Sequence, residues 1–170
     1  METIKQYHEE NVFLDLAYPI PVYYSGKRYP SVLEGVQTLM KEYDNRPNID
    51  QEHRTWYLRH IMKQMLLWKF VCNREMRLRL IATRDDILAR GQSTINQTGN
   101  ELMMEIRANL QRGKYFFAVI TEDGEKSSSI KKYYQTFSAV EQYLATQHDF
   151  WSDKPCEVND SHVRIYCFDD

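Results

Sequence analysis

The chain is poor in the features that most readily assign a function. It has three cysteines in 170 residues, Cys72, Cys156 and Cys167. The number is odd and the spacing is not that of a metal site, so reduced thiols in a cytoplasm are the simplest reading. No run of about eighteen apolar residues is present, so no membrane-spanning helix is expected. The opening Met1-Glu2-Thr3-Ile4-Lys5-Gln6 is polar and lacks an apolar signal region. There is no Ser-His-Asp motif, P-loop or dinucleotide glycine motif, and no internal repeat or low-complexity tract. His53 and His60 are seven residues apart, about 10 Å along a helix, too far to share a metal without other ligands. Cys156, His162 and Cys167 have no recognised ligand spacing. No metal and no cofactor is expected.

Hydrophobic residues make up 42% of the sequence, enough for one core and a small second unit. The net charge of −2 conceals a segregation. Residues 1–53 carry a net −4, residues 54–114 a net +7 and residues 115–170 a net −5. A basic middle between acidic ends suits an anionic ligand such as a phosphate ester or nucleotide. The plainer reading is that solvated helix faces are Lys/Arg-rich and pair with the acids. A sequence pI near 6.2 argues against nonspecific nucleic-acid binding.

The organising stretch is Lys69-Phe70-Val71-Cys72-Asn73-Arg74-Glu75-Met76, between two helices. Leu58, Ile61, Met62, Met65, Trp68 and Cys72 recur at three- and four-residue spacing and predict an amphipathic helix from Arg54 to Val71. Asn73 can cap the next helix, which carries Met76, Leu80 and Ile81 and ends near Ala82-Thr83. The rest is expected to pack on this pair. Residues 1–12 read as a polar lead-in. Tyr18 to Tyr24 reads as a strand kept irregular by Pro19 and Pro21, with a tight turn at Ser25-Gly26-Lys27. Ser31 and Glu34 form a capping box for a helix with Val32, Val36, Leu39, Met40 and Tyr43 on its apolar side. Thr83-Arg84-Asp85-Asp86 predicts the start of a short helix closing at Gly91. Gln92 to Gly99 reads as a polar loop, and Leu102, Met103, Ile106 and Leu110 as a helix stopping at Gly113. The last third, 114–170, is predicted as a β-β-α-β unit. Its strands are Tyr115–Ile120, Ile130–Tyr134 and Val163–Phe168, with a turn at Glu122–Glu125 and a helix opened by Ser138 and Glu141.

Stretches between residues 13 and 103 resemble a known family. Phe13-Leu14, Tyr18-Pro19-x-Pro21-Val22, Gly26-Lys27-x-Tyr29-Pro30-Ser31-Val32 and Gln37 resemble the opening of the NADAR (YbiA-like) N-glycosidases, FLSNFYPxPV then GKxYPSVEHAFQ. Met62, Lys69-Phe70-x-x-Asn73 and Leu80-x-Ala82-Thr83-x-Asp85-x-x-Leu88 resemble its second signature. Asn96-x-x-Gly99-x-x-Leu102-Met103 resembles its closing NxLGxxLM. The likeness covers residues 13–103 and leaves 114–170 outside. It implies a compact, helix-rich α+β domain, taken as 1–113, to which the β-β-α-β unit over 114–170 is a small C-terminal appendage. It also implies hydrolysis of the N-glycosidic bond of a ribose-phosphate or ADP-ribose-type substrate. The sequence departs from the family at decisive places. The glutamate of SVEH falls on Leu33 and its histidine on Glu34. The asparagine and final phenylalanine of FLSNF fall on Leu16 and Ala17, and the WGxG segment is missing between Leu88 and Asn96.

A glycosidase needs a carboxylate to stabilise charge on the sugar or to activate water. The candidates are Glu34, Asp15 and Asp85. Glu34 is equally a capping-box residue, and Asp85 equally a first-turn residue favoured by the helix macrodipole. The ligand-binding candidates are Lys27, Gln37, Lys69, Asn73, Asn96 and Gly99. Lys69 could reach a phosphate or snorkel beside the core, and Asn73 could simply cap. Asn96 and Gly99 could offer backbone amides to an anion or form a plain loop-to-helix junction. Trp56, Trp68 and Trp151 serve either packing or base stacking. The expected partner is a phosphorylated ribosyl or ADP-ribose-type small molecule, with nucleic acid entering only as a modified substrate. The alternative is a catalytically degenerate module that binds a nucleotide-like ligand, or a protein partner through 114–170. The degeneracy fits a mobile-element or phage origin.

Overall fold

The computed structural model describes residues 1–7, 9–25, 27–71 and 73–112, and the strand backbone of 115–122, 129–133 and 163–167. The fold is mixed α+β, with helices carrying the core and, among the described residues, three small sheets.

The central helix is α2, Gln51–Phe70, and it packs against three other helices and a strand. It starts at Asp50, whose carboxylate accepts from the Glu52 N–H at 2.9 Å. That start is three residues earlier than the apolar pattern implies, because the first turn is solvated and capped. Leu58, Ile61, Met62, Met65 and Trp68 are buried along one side as their spacing requires. Cys72 lies outside the described residues. α1 spans Val32–Asp44 and buries Val32, Val36, Leu39, Met40 and Tyr43. Its cap is Ser31, whose hydroxyl accepts from the Glu34 N–H at 3.2 Å. α3 spans Arg74–Ala82, and Asn73 caps it by accepting from the Met76 N–H at 3.1 Å. α4 spans Thr94–Gln111 and buries Leu102, Met103, Ile106 and Leu110. α1 packs on α2 where Gly35 leaves room. A Cβ there would stand 2.7 Å from both Sδ and Cε of Met65.

Several stretches differ from the sequence reading. Residues 94–99 are the first turns of α4, opened by Ser93, whose hydroxyl accepts from the Asn96 N–H. Their polarity reflects an exposed helix start, which composition alone does not distinguish from a loop. Residues 83–91 hold no helix. Thr83 instead closes α3, Arg84 takes a left-handed φ of 54°, and Ile87–Leu88 form strand β4. β4 runs parallel to β1, Thr3–Ile4, with Thr3 opposite Ile87 and Ile4 opposite Leu88. The polar lead-in therefore has structure. β1 is followed by a 3-10 helix over Glu9–Leu14 that buries Phe13 and Leu14.

β2, Val22–Tyr24, and β3, Lys27–Tyr29, form a hairpin, with Tyr24 opposite Lys27; the strand read over Tyr18–Tyr24 begins only after Pro21, and Lys27 belongs to β3 rather than to the turn. The third sheet is antiparallel in the order β6-β5-β7, where β5 is Tyr115–Glu122, β6 Ser129–Tyr133 and β7 Val163–Cys167. Its strands match those read from the sequence within two residues at each end. The turn at 122–125 lies largely outside the described residues, as do Gly113 and the helix opened by Ser138 and Glu141.

Candidate functional site

The turn that follows the 3-10 helix gathers polar groups from four distant parts of the chain, and Asp15 is its hub. Its Oδ1 accepts from the Ala17 N–H at 2.9 Å, a local turn that aspartate favours. Its Oδ2 accepts from the Arg90 guanidinium. Its backbone carbonyl accepts twice, from the Tyr18 N–H at 3.0 Å and from Lys69 Nζ at 2.8 Å. The Asp15 and Arg90 side chains remain 25% and 40% exposed, so this pair meets solvent.

Lys69 approaches from behind. α2 delivers it into the core, where it is 0% exposed. Nζ stands 5.0 Å from the Phe70 ring centre and 5.6 Å from that of Tyr18. Removal from water penalises the charged amine. Burial lowers its pKa from the ordinary 10.5 to about 7, while Asp15 opposes the shift. Lys69 therefore holds its proton less firmly than an exposed lysine does.

Arg90 is fixed from the other side. Its carbonyl accepts from Asn100 Nδ2 at 2.9 Å, and its Cζ lies 5.6 Å from the centre of the Tyr7 ring. Tyr7 donates its hydroxyl to Asn100 Oδ1 at 2.6 Å. Both are buried, and burial raises the Tyr7 phenol to about 12, so it stays a donor at neutral pH. α4 approaches this cluster closely because Gly99 has no side chain. A Cβ there would meet the two methyl carbons of Leu16 at 3.1 and 3.2 Å. The first turn of α1 docks on the same segment, through the Leu33 N–H to the Leu16 carbonyl at 2.9 Å.

Of the residues singled out in the sequence, the cluster brings together Asp15, Lys69 and Gly99, with Leu33 beside them. The others lie apart. Glu34 and Gln37 are exposed on α1, Lys27 is exposed on β3, and Asp85 is exposed in the turn after α3. Asn73 is half-buried and its side-chain oxygen is engaged in the cap. The Asn96 amide is taken by Ser93, and its side chain packs against Gly91, which has a φ of +78°. Tyr7, Arg90 and Asn100 were not visible in the sequence. Tyr7 sits in a polar lead-in and Arg90 in an irregular stretch, where no periodicity marks a side chain as directed inward.

Many cations of the basic middle are already engaged within the fold. Arg54 pairs with Asp44, Arg59 with Glu101 and Glu105, Lys63 with Glu105, and Arg79 with Glu75. Lys69, Arg77 and Arg107 are buried on internal acceptors, Arg77 on the Val71 carbonyl and Arg107 on Thr83 Oγ1. Burial lowers the Arg107 pKa, which Asp86 and Asp85 oppose. An open groove of about 620 Å³ lies by β1, the 3-10 helix and α3, but Glu2, Glu9, Glu10 and Asp86 in its lining make it hostile to phosphate. Among the described residues no three His, Cys, Asp or Glu side chains form a metal-holding group, and no helix is long and apolar enough to cross a membrane.

Comparison of the chain with protein-family models, curated proteins and solved structures finds no match.

Proposed function

We propose that this chain is a divergent N-glycosidase of NADAR type, which hydrolyses the N-glycosidic bond of a ribose-phosphate or ADP-ribose-type substrate with Asp15 as its carboxylate. One observation carries the reading. The segments on which the resemblance rests converge on Asp15, although they are up to 84 residues apart. Leu33, at the family's glutamate position, bonds through its N–H to Leu16. Lys69 bonds to the Asp15 carbonyl, and Gly99 packs on Leu16. A carboxylate lost from α1 is thus replaced by one on the adjoining turn. Glu34 and Asp85 are both exposed, where a carboxylate is poorly placed to stabilise a sugar cation. Asp15 is three-quarters covered and still reachable. Its role is to stabilise positive charge on the ribose or to activate the attacking water.

The second reading is a binding module on the same scaffold. It is favoured by Leu33 in place of a glutamate and by Asp15 being already engaged by Ala17 and Arg90. In both readings residues 114–170 form an appendage beside a domain of residues 1–113, and in the second it contacts a protein partner.

The deciding experiment is a mass-spectrometric turnover assay with NAD, ADP-ribose, ADP-ribosylated guanosine and a ribosylaminopyrimidine phosphate, following released base or amine. Release by the native chain, lost in Asp15→Asn and kept in Glu34→Gln and Asp85→Asn, is the expected result. Release that survives Asp15→Asn refutes Asp15. No release, with thermal stabilisation by one of the ligands, establishes the binding module.

A further inference from the structure

We propose that Arg90 is the residue that takes the phosphoryl group of the ligand, and that Asp15 occupies it until the ligand arrives. This rests on the Asp15-centred reading and adds to it a substrate determinant and a means of activating the site.

A guanidinium offers five N–H donors in a planar fork that matches phosphate. Among the described residues the only acceptor for the Arg90 guanidinium is one oxygen of Asp15. The side chain is 40% exposed. Arg90 is also positioned in advance. Asn100 holds its carbonyl, the Tyr7 ring lies 5.6 Å from its Cζ, and Tyr7 and Asn100 are bonded to each other. A cation fixed before binding loses little freedom when a ligand arrives. The other paired cations of the basic middle lie on helix surfaces, where their carboxylate partners come from helices rather than from the site turn.

The local charge balance favours exchange. Arg90 faces one carboxylate, with Lys69 behind the same turn as a second, partly protonated cation. A phosphoryl dianion brings more charge and more acceptor oxygens to the guanidinium than a carboxylate does. When phosphate takes Arg90, Asp15 Oδ2 loses its donor while Oδ1 keeps the Ala17 N–H. The carboxylate stays oriented and one oxygen is released toward the ligand. A ribosyl compound without phosphate leaves Asp15 tied to Arg90 and the site idle.

The test is calorimetric titration of the full chain with inorganic pyrophosphate, on the native protein, Asp15→Asn, Arg90→Met and Arg90→Lys, with circular dichroism confirming that each is folded. Asp15→Asn is expected to bind at least fivefold more tightly than the native chain, because the internal competitor loses its charge. Arg90→Met is expected to bind at least tenfold more weakly, and Arg90→Lys, which keeps the cation, to fall between. Equal binding by the native chain and Arg90→Met overturns the proposal, as does an Asp15→Asn that binds no more tightly. Turnover plays no part in the measurement. The expected order of affinities with no glycosidic cleavage leaves the anion site standing and removes the hydrolytic reading. The wrong order, with cleavage lost in Asp15→Asn, does the reverse.

Discussion

Replacing Lys69 by methionine tests whether a buried ammonium shapes the stability of this fold. In the folded chain burial holds the amine near pKa 7, against an ordinary 10.5. Between those values the unfolded chain binds a proton that the folded chain does not, so stability rises with pH across this window. Below pH 7 both states are protonated and the full penalty of burying the charge is present. As pH rises from 7 to 9 the penalty relaxes by about 2 kcal/mol, from a slope near 1.4 kcal/mol per pH unit reduced by the half-titration at pH 7. Lys69→Met has no such titration. It also strips the Asp15 carbonyl of one of its two donors, a pH-independent cost of about 1 kcal/mol. Urea unfolding of both proteins at pH 6, 7, 8 and 9 isolates the effect, because every other titration cancels in the difference. With an m-value near 2 kcal/mol/M, the native midpoint should gain about 1 M on the variant between pH 7 and 9. Stability curves that run parallel from pH 6 to 9 would refute a burial-lowered lysine.

Other perturbations separate site from scaffold. Asn73→Ala removes the α3 cap and should cost about 1 kcal/mol in urea unfolding, while Asn73→Asp should cost far less. Gly35→Ala forces the buried end of Met65 and the Tyr29 ring to shift. Its helix-propensity gain is outweighed by overpacking, for a net loss of about 1–2 kcal/mol. Glu105→Gln removes two exposed ion pairs, with Arg59 and Lys63, and should change stability by less than about 1 kcal/mol, a difference that added salt narrows further. Asp15→Asn should abolish base release with its thermal unfolding midpoint within a few degrees of the native value, which separates lost chemistry from lost fold.

What was legible in the sequence was what local forces decide. Apolar residues at three- and four-residue spacing locate α1, α2 and the later turns of α4, since a helix must bury one side whatever its neighbours are. Ser31 and Asn73 cap where they were read to cap, because a cap needs only the next three residues. Short runs containing β-branched and aromatic residues locate β5, β6 and β7 in the same way. Long-range contact decided the rest. Thr83-Arg84-Asp85-Asp86 carries a helix-start signal, yet the chain turns there because Ile87–Leu88 pairs with Thr3–Ile4, 84 residues away. No local pattern encodes that pairing. Asp15, Lys69 and Arg90 were three separate polar residues in the sequence, one of them not singled out at all. Their meeting depends on α2 burying a lysine against a turn made some fifty residues earlier, and on a glycine in α4 letting that helix reach Leu16. Spacing along a chain specifies which faces must be covered, and only packing determines which charges then share one place.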